Sequence, residues 1–410
     1  MGVIILISKN AHLESISCKN KRYTSFVDQT EIERIANFYN QYSSYETTPL
    51  LSLPGLASII GINNIYVKDE STRLGLDSFK ALGGFYAIAR LIAEKLEKNI
   101  FEMSLDFLKS DYVKKTIGKL TFVTATDGNH GKGVAMAATA LGHNSIVYLP
   151  KGAEKSRVEA IKQVGGTPYV SDYNYDETVK LAFSEANKHG FEVVQDTALP
   201  GYETIPKWIM QGYAVIAKEI LDEIEKSNTF KYPTHVIYQA GVGSVAGAIQ
   251  GYLVERLGEK IPTNLVVEPS NAACMLKSAK GNGDPKTVTG DLDTVMAGLS
   301  CGEPNPIGWE IIKRFSDYFI SVPDWVAARG VRILNSPIES DPQINAGESG
   351  GIGIGLLSLF MLHEFHEMKD LIGLTKESNV LLINTEGITD PYVNRKIIWD
   401  GKYPTPSKFL

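Results

Sequence analysis

The chain has 410 residues, 21% of them charged, and a formal net charge of −6. That length supports a sizeable core and two domains or lobes, and an ordinary charge balance without a long basic run excludes a nucleic-acid binder. Three cysteines, Cys18, Cys274 and Cys301, lie far apart without metal or redox spacing, which points to a reducing compartment.

The opening MGVIILISKN holds an apolar run too short for a signal peptide, and no stretch is long enough to cross a bilayer. The expected location is therefore cytoplasmic, with no membrane partner. Short β-branched runs then recur along the chain: NNIYVKD, LTFVTAT, NSIVYLP, TPYVSD, FEVVQD, THVIYQA, TNLVVEP and NVLLINTEG. Helical segments such as GVAMAATALGH and AEKSRVEAIKQVGG separate several of them. This alternation predicts an α/β fold with parallel sheets covered by helices on both faces. Continuous apolar strands fit such doubly buried sheets. Residues 94–119 read as a charged, helical surface insertion.

The chemistry-bearing residues fall at the ends of these elements. In DSFKALGGFYA, Lys80 stands where an apolar, glycine-rich helix begins. A cation gains nothing from the positive end of a helix, so Lys80 either faces solvent or is kept for chemistry. TATDGNHGKG packs Asp127, Asn129 and His130 between glycines, as a ligand-binding turn or as a helix-capping one. Asp196 follows a strand in VVQDTALPGYETIP and reads as a cap or as a catalytic carboxylate.

THVIYQAGVGSVAGA gives a strand, then Gly241, Gly243 and Ser244, then a small-residue helix. Such a turn cradles a phosphate or simply packs a strand tightly against a helix. Its spacing departs from GxGxxG and lacks GK[ST], so a small phosphate-bearing cofactor fits better than a dinucleotide or a nucleoside triphosphate. Glu348 in NAGESGGIGIG reads as a solvated loop charge or a site residue, and Thr385 in NTEGITDP as a donor to a ring nitrogen or as part of a plain turn. HEFHE, residues 363–367, spaces its histidines three apart where the zinc-protease helix needs four, so it predicts a helix surface and no metal site.

Together these stretches resemble the fold-type II pyridoxal-phosphate enzymes. The resemblance implies two parallel-sheet α/β domains with the cofactor in the cleft between them. Residues 1–88 and 208–410 would form the large domain, and 89–207 the smaller, inserted one. It implies that Lys80, in Ser78-Phe79-Lys80, forms a Schiff base with pyridoxal 5'-phosphate, a role that a depressed amine pKa near a helix start would favour. It gives the phosphate to Gly241, Val242, Gly243, Ser244 and Val245, the pyridine hydroxyl to Asn129, and the ring nitrogen to Thr385.

Within that group, TATDGNHGKGVA, GYETIPKWIMQGY, AGLSCGEPNPIGWE, AGESGGIG and NTEG resemble the diaminopropionate ammonia-lyases. The implied activity is elimination of ammonia from the small amino acid 2,3-diaminopropionate, D or L, giving pyruvate and two ammonia. The family is expected to be homodimeric. TALPGY departs from it, with Leu199-Pro200 where the family has Trp-Glu. An amine leaves acceptably only when protonated, so carboxylates should hold the substrate's β-nitrogen as ammonium. Asp127 and Asp196 are the candidates, and one of them can also serve as Cα base. A serine or threonine ammonia-lyase of the same fold is the alternative enzyme, while the intact Lys80 argues against a binding protein that merely kept the fold.

Overall fold

The structure, a computed structural model, describes residues 5–15, 21–126, 128–360 and 362–409. Cys18 lies outside the described residues. The described strands are β1 (Leu6–Lys9), β2 (Leu50–Ser52), β3 (Asn64–Asp69), β4 (Thr121–Ala125), β5 (Asn144–Leu149), β6 (Thr167–Val170), β7 (Glu192–Val193), β8 (His235–Gln239), β9 (Thr263–Pro269), β10 (Tyr318–Val322) and β11 (Asn379–Asn384). Seven of them join in the order β1-β10-β9-β8-β11-β3-β2 and four in the order β6-β5-β4-β7.

The smaller sheet is parallel throughout. The larger is parallel from β10 to β3, and antiparallel strands close both its edges, β1 on β10 and β2 on β3. The predicted α/β class with parallel sheets is thus what forms. β8, β10 and β11 are buried along their whole length, which is why those segments carry apolar runs instead of alternating ones.

The described chain divides into two compact units. The first comprises Met1–Asp28, Thr47–Thr72 and Ile216–Leu410, and the second Gln29–Glu46 and Arg73–Val215. This division differs from the expected one, which placed residues 1–88 in the large domain. The reason lies in glycine. The helix Lys80–Lys95 crosses the helix Asn129–Ala140 backbone against backbone. A Cβ on Gly84 would come within 3.1 Å of Val134 N, and one on Gly133 within 3.0 Å of the Lys80 carbonyl oxygen. Contact this close packs the segment after Arg73 with the second unit.

The segment 94–119 is helical in short pieces, Leu105–Leu108 and Asp111–Ile117, each opened by a serine side chain that accepts from a backbone N–H. It is less of a surface feature than its charge suggests, because Ile100, Leu105, Leu108 and Val113 are buried. HEFHE forms a 3-10 turn, His363–Phe365, that passes into the helix His366–Ile372, and Phe365 is buried in the core of the first unit. Among the described residues no helix is long and apolar enough to cross a membrane.

Two further helices of the first unit, Asp324–Asn335 and Glu348–Leu359, also cross at glycines. A Cβ on Gly330 would fall onto the Gly351 carbonyl oxygen and lie 2.8 Å from Gly355 N. Glu348, read from the sequence as a possible loop charge, is instead buried in the first turn of the second of these helices.

Candidate active site

On the second unit the site is built around Lys80. Its helix starts at Lys80 itself, preceded by Phe79 with no side-chain cap. Asp77, three residues before, has a left-handed backbone (φ +56°), an uncommon conformation outside glycine and a recurrent mark of functional turns. The Lys80 ammonium is hydrogen-bonded to the Asp196 carboxylate. Phe79 sets its ring edge-on to Tyr213, with centroids 4.8 Å apart.

Asp196 is held by its neighbours. The Gln195 side-chain oxygen accepts from Thr124 Oγ1 at 3.0 Å and from Ala125 N at 3.1 Å, both on β4. The Gln195 N–H donates to the Tyr202 hydroxyl at 2.7 Å, which in turn donates to the Val193 carbonyl at 3.0 Å. Leu199 and Tyr202 close the intervening turn through reciprocal backbone hydrogen bonds of 3.1 and 2.8 Å. Leu199-Pro200 therefore sits in a closed turn that returns Tyr202 to the Asp196 segment.

Burial alone would raise the Asp196 carboxyl, but the Lys80 ammonium beside it, aided by His130 when protonated, holds it down to about 2. His130 Nε2 lies 2.8 Å from the Val194 carbonyl oxygen. A carbonyl only accepts, so Nε2 carries the hydrogen and Nδ1 keeps its lone pair. That Nδ1 stands 4.0 Å from Asp196 Oδ2. Burial lowers the His130 pKa, which keeps the ring neutral at ordinary pH. Among the described residues the buried Tyr213 hydroxyl has no hydrogen-bond partner, and burial keeps it protonated.

A second lysine, Lys68, offers a useful contrast. Its side chain is fully buried, with the ammonium 3.0 Å from Glu219, 2.8 Å from Glu223 and 2.5 Å from the Thr48 carbonyl. That is a structural cation, saturated by its acceptors. The Lys80 side chain is instead 19% exposed.

On the first unit, β8 runs into Gly241–Gly243 and then the helix Ser244–Leu257. Gly243 adopts φ +86°, and a Cβ there would collide with the Met275 methyl. A Cβ on Gly241 would lie 3.1 Å from Cys301 Sγ and 3.1 Å from the Gly298 carbonyl. The left-handed backbone makes Gly243 a glycine position, and Gly241 is tightly packed. Asn305 clamps the loop from outside, donating through Nδ2 to Ser244 Oγ at 2.7 Å and through its own N–H to the Val242 carbonyl at 2.7 Å. Beyond β11, Thr385 is buried and its Oγ1 accepts from Gln239 Nε2 at 3.0 Å.

Residues 43–385 match the family model described as "Pyridoxal-phosphate dependent enzyme". The chain is 44% identical over 386 residues to the diaminopropionate ammonia-lyase of Escherichia coli K12, covering 94% of this chain and 95% of that protein. It is 45% identical over 368 residues to the enzyme of the same name from Salmonella typhimurium, covering 89% and 91%. The chain belongs to the diaminopropionate ammonia-lyase family of pyridoxal-phosphate dependent enzymes. A solved holo diaminopropionate ammonia-lyase from Escherichia coli superposes with a TM-score of 0.90 at 43% identity, over 98% of both chains. Another, described as a complex with an aminoacrylate-PLP azomethine reaction intermediate, gives a TM-score of 0.88 at 41% identity, again over 98% of both chains.

The cofactor of diaminopropionate ammonia-lyases, pyridoxal phosphate, can be tested against the donors present. Among the described residues the N–H groups of Gly241, Val242, Gly243 and Val245 meet no protein acceptor, and an anion is what a helix start with free N–H groups accommodates. Thr385 accepts from Gln239 and keeps its own hydrogen to donate, which suits a pyridine nitrogen. Lys80 offers an amine on a partly exposed side chain. The residues fit the group.

Of the residues singled out in the sequence, Lys80 and Asp196 are directly paired. Asn129, half-buried, opens its helix in the same unit. Gly241–Val245 and Thr385 belong to the first unit. Asp127 lies outside the described residues. Sequence reading left Tyr213, Gln239 and Asn305 without a role and named His130 only as one of the polar residues of the TATDGNHGKG turn. Asn305 had a local signal, standing before Pro306 as a helix cap. The others meet their partners only through the fold.

Proposed function

We propose that this chain eliminates ammonia from 2,3-diaminopropionate, which with one water gives pyruvate and two ammonia. The Lys80–Asp196 pair carries the reading. Lys80 would attach the cofactor, and bound pyridoxal phosphate supplies an electron sink for charge developing at the substrate Cα. Gly241–Val245 would hold its phosphate, Asn129 its ring hydroxyl and Thr385 its ring nitrogen. In this reading the first unit is the larger, phosphate-holding domain and the second the smaller, inserted one.

Asp196 would change character during turnover. Its low pKa depends on the Lys80 charge, while burial pulls the other way. Once the Lys80 nitrogen no longer bears that charge, burial dominates and the carboxylate gains proton affinity. It then suits the substrate's β-ammonium, which it would hold together with Asp127. Lys80 would take the Cα proton from one enantiomer, and a carboxylate would take it from the other. Released aminoacrylate then reacts with water to give pyruvate and the second ammonia.

The test is pyruvate release from D- and L-diaminopropionate, serine and threonine, by the native enzyme and by Asp127→Asn. Diaminopropionate should be the preferred substrate. Asp127→Asn should lower its turnover by about 10²-fold or more and reduce its advantage over serine. An unchanged selectivity removes Asp127 from the role, and a native preference for serine or threonine replaces the reading with the alternative ammonia-lyase. The same reading carries a cytoplasmic homodimer, which light scattering at twice the 45.0 kDa chain mass would support and a monomer would refute.

A further inference from the structure

We infer that Gln239 is a positioning residue that fixes Thr385 as a hydrogen-bond donor toward the cofactor's ring nitrogen. The inference rests on the role given to Thr385 above. Gln239 closes β8 and is 3% exposed; β8 pairs in parallel with β11, the strand that leads into Thr385. Its Nε2 lies 2.8 Å from the Ile383 carbonyl oxygen, 3.1 Å from the Ser349 carbonyl oxygen and 3.0 Å from Thr385 Oγ1.

The two ends of a glutamine amide have nearly the same shape, so their assignment depends on the neighbours. Here the neighbours decide it. Both backbone carbonyls can only accept, so the NH₂ must face them, since the amide oxygen would oppose two other oxygens. An amide nitrogen accepts no hydrogen bond. With two hydrogens for three acceptors, the amide shares one of them between a carbonyl and Thr385 Oγ1, which is therefore an acceptor here, and its own hydrogen is directed elsewhere. A hydroxyl so arranged donates to a neutral ring nitrogen and favours the unprotonated form of that nitrogen. An unprotonated ring draws less charge from Cα, which favours expelling the β-amine over transamination.

The test reads the ring nitrogen directly, by nitrogen-15 NMR of holoenzyme reconstituted with labelled pyridoxal phosphate. Thr385→Val should move the resonance downfield, toward a pyridine without a hydrogen bond. Gln239→Met should move it the same way, and the double variant no further than Thr385→Val alone. Movement in Thr385→Val with none in Gln239→Met overturns the inference and spares the role of Thr385. A resonance that stays put in both variants overturns that role itself. Additive displacements in the double variant also overturn the inference, because Gln239 would then act independently of Thr385. Should Gln239→Met not accumulate as folded holoenzyme, Gln239→Glu keeps the shape. Its carboxyl cannot donate both to a carbonyl and to Thr385, so the same downfield displacement is expected, and its absence counts against the inference.

Discussion

Lys80→Ala is expected to abolish stable cofactor attachment and to lower turnover of diaminopropionate by at least about 10³-fold, within the range of losing a group that both anchors and transfers protons. Two separate contributions vanish with the amine: the covalent anchor, and the group that moves the Cα proton for one enantiomer. The substitution also takes the cation away from the buried Asp196 carboxylate, whose pKa burial then pushes up. Added methylamine should restore a measurable part of the activity, since a small amine can enter the space left by the side chain. Steady-state assays with and without the amine check this. Turnover within about tenfold of native would remove Lys80 from the centre of the account.

The second large effect concerns stability. Gly330→Ala is expected to lower the stability of the first unit by about 3 kcal/mol or more, the upper range for overpacking, because its Cβ has backbone and not a flexible side chain to displace. The helices Asp324–Asn335 and Glu348–Leu359 would have to separate, disturbing the core cluster that holds Val326, Ile352 and Leu356. Gly353→Ala supplies the control. It lies on one of the same helices, but its Cβ would meet the Leu382 side chain at 3.3 Å, which can give way. There the gain in helix propensity, about 1 kcal/mol, offsets much of the crowding. Thermal unfolding should show a loss of several degrees for Gly330→Ala and little change for Gly353→Ala, at roughly 2–4 °C per kcal/mol. Equal effects would mean that the glycine crossing is not what holds the helices together.

The fold was most legible where sequence pattern and burial coincide. All eight β-branched runs contribute strands; burial on both faces accounts for the apolar runs of β8 and β11, whereas β6 is mostly exposed. FEVVQD contributes only Glu192–Val193 to its sheet. Past it, the Gln195 side chain takes the Ala125 N–H in place of a backbone partner, a substitution that a pattern of residue types does not reveal. β10 was hidden for another reason. Only Ser316 and Asp317 separate its apolar run from the apolar helix Pro306–Phe315, so the change of period is hard to see. Among the described residues β1 pairs only with β10, and it was hidden along with it.

The site divides in the same way. Lys80, Asp196 and the Gly241–Val245 loop sit at element ends, where local signals are strong. In the sequence Gln239 is the polar last residue of THVIYQ, and Tyr213 an aromatic within the apolar run GYAVIA. Their meaning comes from partners far away in sequence: Ser349, Ile383 and Thr385 for Gln239, Phe79 and the Lys80–Asp196 pair for Tyr213. The domain boundary was illegible because it depends on which backbone Gly84 and Gly133 bring together.

Borohydride reduction of the enzyme reconstituted with pyridoxal phosphate, followed by peptide mass spectrometry, tests the central claim most directly. The account predicts a single phosphopyridoxyl group on the peptide carrying Lys80. A label on Lys68 or another lysine, or none at all, would contradict it.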